Sequence, residues 1–260
     1  ILLGNFNMPN TQSIQQTAQD SISLANAPEW LQNLRRKGFE TFEQLGYPKK
    51  KDEEWRYIDL EPVFEEDFKF AETPAQQAQE DISQAYLTEL REQNCPTLVF
   101  VDGFLSPALC NLPENNQGIQ LLSLQQVLRE LKAESQSSLN EDLQEVLSLV
   151  GTTPEIFSHG FLARNASLAQ DGIIIKISDE VIEPIYILYY YTGEAQKEAC
   201  IRNVWWLDSG ARATIVEEFA SESLNLENIV TETAVNENAR LDHFLFFTPN
   251  FKNYHFSTTH

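Results

Sequence analysis

Apolar and polar positions repeat along the last third of the chain. The segment Ile201–Phe219 aligns with Ile229–Phe247 at an offset of 28 residues. A further shift of 28 residues brings Ile173–Tyr191 into the same register more weakly, with Ile187 on Ile215. Each copy consists of an apolar run, a short polar turn and a second apolar run. A fixed period of strand-like units is typical of stacked coils and therefore predicts a β-solenoid.

The spacing of apolar residues changes from helical to alternating near residue 171. Before this point we predict a helix that follows Asn26-Ala27-Pro28 and ends at Gly46. Further helical patterns follow Ser123, Asn140 and Thr153-Pro154 and surround Ile82–Leu90, while Thr97–Val101 is a predicted strand. Beyond it, strands are predicted to begin near residues 173, 185, 201, 213, 229, 241 and 254.

The predicted fold is an α+β protein in three parts. Residues 1–26 form a flexible arm, residues 27–170 a mainly helical N-terminal domain, and residues 171–260 a parallel β-helix. The next repeat begins at residue 257, and the chain stops at His260. We therefore expect either an incomplete β-helix that lacks its C-terminal coils, or a last coil that another chain or segment covers.

Composition excludes several classes of partner. A formal net charge of −21 repels phosphate backbones, so nucleic-acid binding is disfavoured. The sequence has no apolar run long enough to span a membrane. Three cysteines at unrelated spacings favour a reducing compartment, and hence the cytoplasm, over a disulfide framework.

The sequence offers no convincing catalytic, cofactor-binding or metal-binding residues. Phosphate-binding glycine loops are absent, and no two cysteines lie within ten residues of each other. His243 is predicted to be a satisfied side chain on a half-buried strand, and adjacent Asp242 points to the opposite face. Glu217 aligns with Leu245 in the repeat, so no ladder of acids lines the coils. We therefore predict that the chain is not an enzyme.

Two aromatic clusters are candidate packing or partner surfaces. In Trp55-Arg56-Tyr57 a guanidinium between two aromatic rings can stack and still reach a carboxylate, although local packing is the favoured interpretation. Trp205-Trp206 places one indole on each face of a strand. One is expected in the core, and the other is expected under the N-terminal helices or a partner.

Several segments resemble the SufB/SufD family, and its SufD members in particular. The segment Glu53–Leu60 (EEWRYIDL) is similar to a conserved-looking stretch near the start of SufD proteins. Leu98–Gly103 (LVFVDG), followed by Ser106-Pro107, resembles that family's strand and turn. Leu162–Ile177 resembles its helix that enters the β-helix, and Val204–Phe219 its first full coil. The resemblance runs through residues 27–260 in the same order.

The resemblance implies a right-handed parallel β-helix after a helical domain. It also implies a scaffold subunit of the SufBCD complex, which assembles iron–sulfur clusters with SufB and the ATPase SufC in the cytoplasm or plastid stroma. Family members are longer, and their cluster-proximal histidine lies beyond the part matched here. Because His159, His243, His255 and His260 lie outside that histidine's motif, we expect no cofactor on this chain alone and a cluster only transiently in the full complex.

Two alternative functions stay open. A structural solenoid could self-assemble, for example as a homodimer, through its uncapped end. Less favoured is a polysaccharide-acting enzyme, since other β-solenoids carry acids along one face. The scaffold role remains the leading interpretation.

Overall fold

The computed structural model describes most of the chain as an α+β protein. The described residues are 29–71, 95–112, 118–127, 145–147, 150–151, 157–193, 196–249 and 252–260. The predicted arm at 1–26 and the predicted helix at 82–90 lie outside them, as do the starts predicted at Asn140 and Thr153.

Within the described residues, the helices described over their full length are α1 (Glu29–Leu45), α2 (Glu61–Glu65) and α3 (Gly160–Leu168), and residues 124–127 and 145–147 are also helical. The end of α1 is as predicted, because Gly46 has a φ of +62° and its N–H donates to Phe42 O. A 3₁₀ turn covers Glu53–Trp55.

The start of α3 differs from the predicted helix, because Phe157 lies before it. Here Gly160 packs so closely on the Gly46 carbonyl that a Cβ would come within 1.9 Å of the oxygen. This contact fixes the helix entry at a position that local periodicity cannot reveal. His159 precedes the helix with an extended backbone.

Eleven strands are present in the described residues. In chain order they are β1 (Lys69–Phe70), β2 (Thr97–Val101), β3 (Phe104–Leu105), β4 (Ile119–Ser123), β5 (Ile173–Ile177), β6 (Ile185–Tyr191), β7 (Lys197–Leu207), β8 (Arg212–Ser221), β9 (Leu226–Val235), β10 (Arg240–Phe247) and β11 (Tyr254–Thr259). The predicted strand at Thr97–Val101 is confirmed. All seven strands predicted after residue 171 are also present, with starts shifted by up to four residues.

Successive strands from β5 onward alternate between two mixed sheets. Sheet A has the order β11-β9-β7-β5-β4, with β1 beside β7, and sheet B has the order β10-β8-β6-β2-β3. Pairing is parallel except at β4 and β3, which are antiparallel to their neighbours. Thus β2, β3 and β4, from the region predicted to be mainly helical, extend both sheets.

The 28-residue register is confirmed for the later strands. Ile201 pairs with Ile229 and Phe219 with Phe247, as the aligned repeats predict. The register predicted for the earlier copy is wrong. It placed Ile187 opposite Ile215, whereas in the structure Ile187 pairs with Glu217, two positions further along β8. The β6–β7 connection, counted between the paired positions Tyr191 and Glu198, is two residues longer than the β8–β9 connection between their partners Ser221 and Leu226.

The main apolar core lies between the sheets and becomes more polar from β5 toward β11. The inward positions of β5 are Ile173, Ile175 and Ile177. The corresponding positions of β11 are His255, Ser257 and Thr259, in register with Glu227, Ile229 and Thr231. The outer face of sheet A is covered instead by α1 and α3.

The chain passes from one sheet to the other through two kinds of turn, here called corners. At each kind of corner the same local feature recurs in successive repeats. At one corner, Asn225 Oδ1 accepts the Lys197 N–H (2.9 Å) and Asn253 Oδ1 accepts the Asn225 N–H (3.0 Å). At the other, Gly210 and Asn238 both have a positive φ, of 81° and 58°. The side-chain amides therefore tie each coil to the next.

Candidate functional site

The Trp55-Arg56-Tyr57 segment divides into a half-buried anchor, Trp55, and an exposed tip. Trp55 stacks on Phe161, with ring centroids 5.5 Å apart. The Arg56 guanidinium lies 4.6 Å from the centroid of Tyr57, which is 86% exposed. A role of this tip in partner binding stays a prediction.

The Trp205-Trp206 pair faces both sides of sheet A, as expected. Trp205 is fully buried in the core between the sheets and meets the His243 ring edge-on. Trp206 packs on the outer face with Val127, Val146 and Trp30, which come from the N-terminal region. The N-terminal region thus covers the second indole.

A cleft of about 470 Å³ opens beside the Trp55 anchor. It lies between the 49–63 segment, the start of α3 and β11. Its lining combines aromatic rings with a few polar groups: Trp55, Ile58, Asp59, Leu60, Val63, His159, Phe161, Asn228, Asn253, Tyr254, His255, Phe256, Ser257 and Thr258. Aromatic walls with sparse polar groups are typical of ligand and peptide sites.

Two groups of the cleft, His159 and Asp59, have shifted pKa values. Burial lowers the pKa of His159, and nearby His260 lowers it further, while Glu54 acts in the opposite direction. Hydrogen bonds from Lys50 and from the Glu61 N–H lower the pKa of Asp59. At neutral pH the cleft therefore contains a neutral imidazole and an ionised carboxylate.

A buried layer of ion pairs joins α3 to the outer face of sheet A. Arg164 donates to both oxygens of Glu198 at 2.5 Å, and Arg202 Nε donates to Glu232 at 2.9 Å. Burial alone lowers the pKa of Arg164, but the Glu198 carboxylate outweighs it and the net shift is upward. Asn165 links the two pairs by accepting from Arg202.

Sequence reasoning missed this layer. On the strand, Glu198 and Arg202 occupy alternate positions with Cys200 between them, a pattern that resembles a solvated face. The available signal was weak: the α3 sequence GFLARNASL places Arg164 and Asn165 among small and apolar residues, and in the structure all nine residues are buried. A helix buried on every side requires polar partners for Arg164 and Asn165.

Two histidine–glutamate pairs lie in the interior near the last strands. His243 Nε2 is 2.7 Å from Glu217, and His255 Nδ1 is 2.6 Å from Glu227. Glu217 also accepts the Tyr189 hydroxyl at 2.8 Å. The prediction that His243 is a satisfied side chain on a half-buried strand is confirmed.

The LVFVDG segment ends in a turn that contacts the β6–β7 connection through Asp102. Asp102 is fully buried and accepts the Thr192 N–H at 2.9 Å, and it also pairs with Lys197. The next residue, Gly103, has a φ of +87°, and a Cβ there would lie 2.5 Å from the Ala199 side chain. The Asp-Gly pair is therefore required by both charge and space.

The arrangement gives little support to metal or acid–base chemistry. Among the residues that the structure describes, no three His, Cys, Asp or Glu side chains gather into a group that could hold a metal ion. Burial, and secondarily Glu198, raises the pKa of the Cys200 thiol well above its ordinary value. Leu245 of β10 pairs with Glu217 of β8, so acidic residues do not align from one of these strands to the next.

Two mixed sheets, built largely of parallel strands that repeat in sequence, and helices on one outer face define an α+β protein. The chain belongs to the SufBD family, because the family model for the SufBD protein N-terminal region matches residues 12–187.

Three curated relatives agree with this assignment. The chain is 24% identical to an iron–sulfur cluster assembly SufBD family protein of Synechocystis over 95% of its length. It is 27% identical to the iron–sulfur cluster assembly protein SufD of Escherichia coli over 96%. It is 26% identical to Protein ABCI7, chloroplastic, of Arabidopsis thaliana over 92%.

The chain spans about half the length of these relatives, at 54%, 53% and 49% respectively. Within the described ranges, none of the helices is long and apolar enough to cross a bilayer.

Proposed function

We propose that this chain is a non-catalytic scaffold subunit for iron–sulfur cluster assembly that acts with SufB and the ATPase SufC. The observation that carries the proposal is the match of the SufBD N-terminal region to residues 12–187. The names of two relatives, which refer to cluster assembly, give the same direction. We place the chain in the cytoplasm, or in the plastid stroma of a plastid-bearing organism.

The proposal includes a right-handed β-helix as the scaffold. Parallel pairing of every second strand, at an offset of 30 residues and then of 28, supports continuous coiling, and a right-handed crossover is the strongly favoured connection between parallel strands. Such a stack presents long flat sides to partners.

Co-purification tests the scaffold role. The chain is expressed with SufB and SufC of the same organism, and the eluted complex is analysed by size-exclusion chromatography. We expect a complex that contains all three chains. Elution of this chain apart from both partners would contradict the proposal.

Iron–sulfur clusters are the cargo of this role, and we propose that the isolated chain retains none. The Cys200 thiol is buried and protonated, whereas clusters are held by several thiolates. After anaerobic reconstitution and desalting we expect iron and sulfide near background. Near-stoichiometric iron that is lost in Cys200→Ala would instead make Cys200 a ligand.

Self-association is a second candidate, and the exposed side chains of β10 favour it. Phe244 and Phe246 are 50% and 55% exposed on the outward side of the last strand of sheet B. Exposed apolar surface of this kind favours association with another molecule. Sedimentation of the chain alone, and then together with SufB and SufC, separates the two candidates, because self-association requires neither partner.

A further inference from the structure

We draw no further inference here: the strongest candidate, the corner between β5 and β6 that exposes Ile182 between the acidic residues Glu180 and Glu183, carries none because nothing in the structure shows what covers it.

Discussion

At the scale of single residues, the asparagines Asn225 and Asn253 at one corner satisfy backbone N–H groups of the preceding repeat. Asn225 is fully buried, and its side chain accepts from the Lys197 backbone while its own N–H donates to Asn253. The same bond thus recurs from coil to coil. An unsatisfied backbone N–H at this buried corner would cost about 1–3 kcal/mol.

Asn225→Ala should therefore lower the free energy of unfolding by about 1–3 kcal/mol, because the Lys197 N–H loses its acceptor. Urea titration followed by circular dichroism measures the change. Asn33→Ala, on the exposed face of α1, is the control and should change stability by less than about 0.5 kcal/mol. Equal effects of the two substitutions would mean that the corner bond is not stabilising.

His159 should make stability depend on pH. Its pKa is lowered in the folded state mainly by burial, so the unfolded chain binds a proton more readily. The contribution of His159 to stability is complete at high pH and is lost as pH falls through the unfolded pKa near 6.5. His159→Gln should reduce the fall in the free energy of unfolding between about pH 7 and 5 relative to the parent chain. Urea titrations across this pH range measure the difference. An unchanged slope would contradict the assignment.

At the scale of elements, the contact of α3 with sheet A depends on charge as much as on apolar packing. The side chains of Arg164 and Glu198 are 4% and 7% exposed, so neither can be solvated if the other is removed. Removal of one partner from such a pair typically costs about 3–5 kcal/mol.

Arg164→Met alone should therefore destabilise the chain by about 3–5 kcal/mol, since Glu198 stays buried without its partner. The double variant Arg164→Met/Glu198→Leu should recover most of the loss. Thermal or urea unfolding of both variants and of Glu198→Leu completes a double-mutant cycle. A double variant as unstable as Arg164→Met would contradict this expectation. It would show that the interaction between Arg164 and Glu198 stabilises the fold by more than the desolvation of the two charges costs.

The elements differ in how far sequence could predict them. The strands after residue 171 follow from alternation and from a repeat that matches similar residues, such as Phe219 and Phe247. The register predicted for the first copy was wrong because an offset of 28 residues places Ile187 on another isoleucine, Ile215. The two extra residues in the β6–β7 connection do not change the alternation of apolar residues, so the sequence pattern does not reveal them. The cleft combines Trp55, His159 and Phe256, which are distant in sequence, so no local pattern indicates it.

At the scale of the whole molecule, interior polarity predicts a gradient of local stability. The core around Ile173, Ile175 and Ile177 is apolar and fully buried, whereas β10 and β11 are the outermost strands of the two sheets among the described residues. Amide exchange measured by mass spectrometry should therefore be fastest in β10 and β11 and slowest in β5 and β7. Uniform protection along the strands would indicate that the coils unfold only together.

The two spacings between paired strands, 28 and 30 residues, share one property: both are even. Side chains alternate between the faces of a strand, so an insertion of one residue within a strand would turn its remaining inward residues outward. The two-residue difference at the β6–β7 turn leaves that alternation intact. A change in chain length is therefore tolerated best in the connections between strands, where it leaves the alternation of inward and outward side chains within each strand unchanged.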